Sequence, residues 1–108
     1  MGFDISVTQG SDEAIVKLSG ELDAAAAPKL KETVEKVAGA KPKRLVFDVS
    51  ALEFMASAGL RVLIFAKQKM GAGVSLYVIG SKGPVLNTLT MSGFHHSVIL
   101  QDTYKPLE

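Results

Sequence analysis

The sequence predicts an α/β domain: a small mixed β-sheet with the element order β-β-α-β-α-β-α-β, flanked by helices. Three observations lead there. Two opening β-like segments are separated by a turn, as in a hairpin. Three later stretches have near-helical apolar spacing and are bounded by proline or glycine. Short apolar runs stand between and after those stretches. Strands joined through helices must run parallel with right-handed crossovers, so the opening hairpin supplies the antiparallel element.

The elements follow in order. Phe3, Ile5 and Val7 alternate with Asp4, Ser6 and Thr8, the period of a half-buried strand. Residues 9–12 have turn composition, and AIVKLS at 14–19 is the second strand. GELD at 20–23 is expected to leave the sheet. Pro28 fits a first helical turn, where its missing N–H costs nothing. A helix is therefore placed over residues 26–38, with Leu30, Val34 and Val37 on one face, Glu32 and Lys36 paired on the surface, and Gly39 as its stop. Lys41, Lys43 and Arg44 form a short basic cluster best read as a solvated strand entry.

Residues 44–49 read as a strand covered on both faces, ending near Val49 and followed by a loop. A helix then opens at or just after Ser57 and runs to Met70, with Ser57 a good N-cap type. Its apolar character wraps most of the cylinder through Leu60, Val62, Leu63, Ile64 and Phe65. Such a helix is either deeply buried or presents surface to a partner. Gly71 and Gly73 end it. Residues 74–79 form another strand, residues 81–92 a helix with Pro84 in its first turn and Gly93 at its end, and residues 97–100 a weak last strand.

At 108 residues the chain is one domain, placed over residues 1–106, with Leu107-Glu108 resembling a tag remnant of no structural weight. A hydrophobic content of 47% excludes disorder, and a net charge of +1 gives no electrostatic case for nucleic acid or anionic lipid. The absence of cysteine excludes disulfides, a thiolate zinc site and a cysteine nucleophile, and suits a reducing cytoplasm. The first residues lack a signal-peptide pattern, and the longest apolar stretch, residues 54–66, is too short to span a bilayer and carries Arg61. A cytoplasmic protein without membrane insertion is expected.

Chemical motifs are few. Gly71-Ala72-Gly73 follows a helix and precedes a strand, the wrong order for a dinucleotide fingerprint. No phosphate-binding GxxxxGK[ST] loop is present, which argues against autonomous NTP hydrolysis. His95-His96 in extended chain would point to opposite sides, with no third metal ligand nearby in sequence. Met55-Ala56-Ser57-Ala58-Gly59 half-matches the GxSxG nucleophile elbow. Its first glycine is missing, the connection is long, and the candidate bases His95 and His96 lie on a different connection. The expectation is that the chain is not an enzyme and needs no cofactor. Ser57 instead stands where an added phosphate would meet free helix amides and the positive end of a helix dipole.

GELD at 20–23, VFDVSALEFMASAGL at 46–60 and LNTLTMSGF at 86–94 together resemble the three signature regions of the STAS domain, most closely the bacterial anti-sigma-factor antagonists. The resemblance covers nearly the whole chain with matching element order. It implies that Ser57 is the phosphoacceptor of a partner switch. An anti-sigma factor that is also a serine protein kinase would bind the unmodified chain, phosphorylate Ser57 and then release it, and a phosphatase would reset it. It also implies that Asp23 and Asp48 lie close to Ser57. The expected partner surface comprises Asp23, Asp48, Met55, Ala56, Ser57, Ala58, Gly59, Leu60 and Leu63, although Met55, Leu60 and Leu63 read equally well as core. In one respect the chain departs from the family pattern: Ala56 stands where an aspartate usually precedes the serine, which would weaken or retune kinase recognition. The alternative is an unphosphorylated STAS module of a larger assembly, such as a stressosome-type scaffold or a lipid-transporter accessory subunit.

Overall fold

In a computed structural model, which describes residues 2–107, the strands and helices follow the expected order. They are β1 (Phe3–Gln9), β2 (Glu13–Leu22), α1 (Ala27–Gly39), β3 (Arg44–Met55), α2 (Ser57–Met70), β4 (Ser75–Ile79), α3 (Gly83–Ser92) and β5 (Ile99–Gln101), with a 3₁₀ turn at Phe94–His96. The sheet order is β1-β2-β3-β4-β5, antiparallel between β1 and β2 and parallel thereafter. Each crossover steps to the next strand in the same direction. Right-handed crossovers then put every helix on one face of the sheet.

The strand alternation confirms this. Ala14, Val16 and Leu18 of β2, Leu45, Phe47 and Val49 of β3, and Leu76 and Val78 of β4 share one core with Leu30 and Val34 of α1, Leu63 and Ala66 of α2, and Val85 and Leu89 of α3. The intervening residues Val46, Tyr77 and Ile79 are buried on the opposite face, packed with Ile15, Ile99 and Tyr104. The central strands are thus covered on both sides, but the second cover is the C-terminal segment and not a helix.

That segment is fastened by polar contacts. The Tyr104 hydroxyl donates to Glu13 at 2.6 Å and accepts from Arg44 Nε at 3.1 Å, while its ring meets Tyr77 edge-on at 5.2 Å. Arg44 also pairs with Glu13 at 3.2 Å. Further along, the Leu107 amide donates to the Tyr77 hydroxyl at 3.1 Å, so Leu107 has a structural role that the sequence did not suggest. Glu108 lies outside the described residues.

Several boundaries differ from expectation. GELD does not leave the sheet, because β2 continues through Leu22. The residues after Val49 are strand and not loop: β3 runs on to Met55, pairing with Ser19 to Leu22 across two register shifts. One shift leaves Glu53 unpaired beside Gly20, whose φ of 86° suits glycine alone. Gly39 is the last residue of α1 without being its left-handed stop; Lys41 takes the positive φ, at 53°. The third helix starts at Gly83, two residues later than expected, and β5 is three residues long. β4 starts at Ser75 and β5 at Ile99, one and two residues later than expected. Other details hold. Leu30, Val34 and Val37 are buried, Lys36 and Glu32 pair at 3.6 Å, α2 ends at Met70, and Gly93 closes α3 at φ 81°. Lys43 pairs with Asp12 at 3.8 Å, as suits a solvated strand entry.

The Glu13 carboxyl is held below its ordinary 4.5, first by the Tyr104 hydrogen bond and then by Arg44, against the opposing effect of burial. This stabilisation is present above pH 4.5 and is lost as the pH falls through the depressed value. The Tyr104 hydroxyl is pushed above its ordinary 10.0, by burial first and then by its bond to Glu13, so its contribution is held below pH 10.0 and fades as the pH rises through the raised value. Tyr104→Phe should cost about 1–2 kcal/mol at neutral pH and flatten both limbs of the stability–pH curve, as read by urea unfolding.

Candidate functional site

The site is built where β2 and β3 run past the rest of the sheet. Only Arg44 to Asp48 of β3 pair with β4, whereas the pairing with β2 extends to Leu22 opposite Met55. The Ala56 amide then donates to Leu22 O at 2.9 Å, adding one more rung before the chain turns into α2. From the other side, the Thr88 hydroxyl of α3 lies 3.2 Å from Met55 O, sharing its proton with Pro84 O at 3.0 Å. Ser57 is therefore delivered between the end of β2 and the flank of α3.

The cap is Ala56, extended at φ −78° and ψ 165°, and Ser57 is the first residue of the helix proper. Ser57 is exposed, and its hydroxyl makes no hydrogen bond among the described residues. It is not the N-cap that its residue type suggested. The first intrahelical bond runs from the Leu60 amide to Ala56 O at 3.0 Å, so helix geometry leaves the amides of residues 57–59 without backbone acceptors. What remains is a free hydroxyl on the positive end of a helix, with the neighbouring methyls of Ala56 and Ala58 half-buried.

The other expected site residues divide sharply. Asp23 directly follows Leu22 and so is near Ser57 along the paired strand ends; its Oδ1 accepts from the Ala26 amide at 2.9 Å, holding the turn into α1. Asp48 is not part of the site. It pairs with Lys17 and Ile79 at the middle of the sheet and lines the tail-side cavity with Ile15, Val46 and Tyr104. Its carboxylate accepts from Ser50 N at 3.0 Å and Ser50 Oγ at 2.6 Å. Seven residues of extended chain, each rising about 3.3 Å, then lead from Asp48 to Met55. The resemblance implied proximity, and the expected strand end near Val49 was consistent with it; the continuation of β3 to Met55 separates the two residues.

Met55, Leu60 and Leu63 are 1%, 7% and 0% exposed, so they are core and not docking surface. Gly59 is also buried, since a Cβ there would lie 2.5 Å from Leu22 Cγ. Glycine lets α2 close onto the end of β2. Exposed residues that the sequence did not single out are Phe54, 44% exposed, and Arg61, one helical turn beyond Ser57. Alternation would have marked Phe54 as facing away from Met55, had the bulge at Glu53 not broken the period.

His95 and His96 are not in extended chain. They occupy the 3₁₀ turn with ring centroids 3.8 Å apart, and the buried His95 Nδ1 has no hydrogen-bond partner among the described residues. They precede the N-terminal end of β5, while Ser57 follows the C-terminal end of its parallel relative β3. The histidines and the serine thus stand at opposite ends of the sheet.

The STAS domain family model matches residues 4–107. The chain belongs to the STAS domain family. It is 33% identical over 75 residues to the anti-sigma-F factor antagonist RsfB of Mycobacterium tuberculosis, a match covering 69% of this chain and 62% of RsfB, under two thirds of that relative's length. An anti-sigma factor antagonist from Mycobacterium paratuberculosis superposes with a TM-score of 0.88 at 27% identity, covering 94% of this STAS domain and 87% of that chain. The Bacillus cell fate determinant SpoIIAA in its phosphorylated form shares the fold, with a TM-score of 0.71 at 18% identity over 94% of this chain and 92% of its own. Among the described residues, no helix is long and apolar enough to cross a membrane.

Two substitutions separate the surface of this site from its frame. Ser57→Ala should leave the unfolding free energy within about 0.5 kcal/mol of wild type, because no cap bond is lost. Gly59→Ala should cost about 1–3 kcal/mol by driving α2 away from Leu22. Chemical denaturation of both variants checks the pair.

Proposed function

We propose that this STAS domain is a cytoplasmic anti-sigma-factor antagonist that binds an anti-sigma factor with serine kinase activity and is released when that kinase phosphorylates Ser57. The observation carrying this reading is the exposed, unbonded Ser57 hydroxyl at the entrance of α2, in a fold shared with antagonists of anti-sigma factors. A phosphatase resets the switch. The chain is a substrate and a binding partner, not an enzyme; the separation of His95 and His96 from Ser57 supports that, since a serine nucleophile needs a base within hydrogen-bond reach.

The physics of release is local. A phosphoserine carries about −1.5 to −2 charges at neutral pH. The unmodified hydroxyl holds no internal contact, so adding phosphate breaks nothing, and the free amides of the first turn favour an anion. Against a packed partner the same charge must be desolvated. A penalty of about 3 kcal/mol lowers affinity more than a hundredfold. The scaffold need not move.

Ala56 provides no carboxylate beside the hydroxyl, so a kinase that reads this site must do without one. The docking surface is drawn around Ser57 from Asp23, Phe54, Ala56 and Ala58, with Met55, Gly59, Leu60 and Leu63 supporting it from beneath.

Incubation with candidate anti-sigma kinases and ATP should add one phosphate to the wild-type chain and none to Ser57→Ala, as read by intact-mass spectrometry. In a pull-down, Ser57→Ala should keep the partner while Ser57→Asp weakens binding about tenfold or more. Equal binding by the two variants rejects the charge mechanism.

A further inference from the structure

Resting on the reading of Ser57 as phosphoacceptor, we propose that Arg61 is the chain's own clamp for the phosphate, neutralised by it in the modified state. Ser57 and Arg61 are four residues apart in the unbroken helix α2 (Ser57–Met70), and both are exposed. That spacing stacks them on one face with Cβ atoms about 5–6 Å apart. The order, anion first and cation one turn later, is the favourable one for a helical pair.

Among the described residues, Arg61 makes no ion pair in the unmodified chain. Its helical neighbours at three and four residues are Ser57, Ala58, Ile64 and Phe65, none of them acidic. The ion pairs among the described residues are Lys36–Glu32, Lys43–Asp12 and Arg44–Glu13. No carboxylate is carried by α3, which flanks the site, and Ala56 presents none from the cap. The Asp23 carboxylate already accepts from the Ala26 amide. Ser57 is the one position within a turn of Arg61 on its own helix where modification creates an anion.

A guanidinium offers a planar fork of donors that engages two phosphate oxygens together. Phosphorylation would then do two things to the docking face in one event: it adds an anion at residue 57 and removes the free cation at residue 61. A partner whose interface is complementary to Arg61 loses that contact as it meets the phosphate.

The test installs phosphoserine at position 57 during translation, so that no kinase is needed, and titrates its second ionisation by ³¹P NMR. The wild-type value should lie below that of Arg61→Gln by about 0.5 unit, with Arg61→Lys between them. The gap should shrink in about 0.5 M salt. Unphosphorylated Arg61→Gln should unfold at the wild-type denaturant midpoint. Indistinguishable titrations in the three proteins overturn the clamp. Failure of every candidate kinase to modify Ser57 counts against the function proposed above and leaves the titration result standing on its own.

Discussion

The pairing of β2 with β3 beyond the limit of the sheet is the constraint on which the site depends. Parallel strands that end together would have released the chain near Val49. Here Leu22 opposite Met55, and the Ala56 amide on Leu22 O, carry it further before α2 can start. The bulges that make this possible use an unpaired Glu53 and the positive φ of Gly20. Helix α2 is then fixed from below by the close approach of Gly59 to Leu22 and steadied by the Thr88 hydroxyl on Met55 O. The position of Ser57 is a product of backbone hydrogen bonding, and its own side chain contributes nothing to it.

This explains how one helix supplies both core and an exposed face at its entrance. Gly59, Leu60, Val62, Leu63 and Ala66 are buried, while Ser57, Arg61 and Gln68 mark an exposed stripe. Ile64 and Phe65 sit between the two sets, half-buried, with Lys31 5.1 Å above the Phe65 ring. Charge added on the exposed stripe does not enter the apolar interior, where an unpaired anion would cost several kcal/mol (on the order of 3–5). Electrostatics at the surface and packing beneath it are nearly independent, which is what the proposed phosphorylation of Ser57 would require of its scaffold.

The opposite face of the sheet follows a different logic. All the helices lie on one side, so Val46, Tyr77 and Ile79 would face water if the chain stopped at β5. The segment carrying Tyr104 and Leu107 covers them, held by Glu13, Arg44 and the Tyr77 hydroxyl. Asp48 and Ser50 belong to that face. The carboxylate expected beside Ser57 is thus part of a separate polar neighbourhood, whereas Asp23 directly follows Leu22, which pairs with Met55 at the strand ends that lead into α2.

The sequence by itself determined the element order, the hairpin, the extent of α2, the buried face of α1 and the candidate serine. These are local properties: two-residue and helical periods, proline in a first turn, glycine at an end. The motifs at 20–23, 46–60 and 86–94, taken together, also sufficed to identify the family. Only the tertiary structure decided that β3 runs to Met55, because bulges erase the alternation that would have announced a strand there. It alone decided that Leu60 and Leu63 are core, since a helix apolar on most sides does not reveal which side is covered, and that Met55, at the end of β3, is core as well. The cap fell on Ala56 and not Ser57 because the extra rung from the Ala56 amide to Leu22 O, more than thirty residues away in sequence, holds Ala56 extended and makes Ser57 the first helical residue.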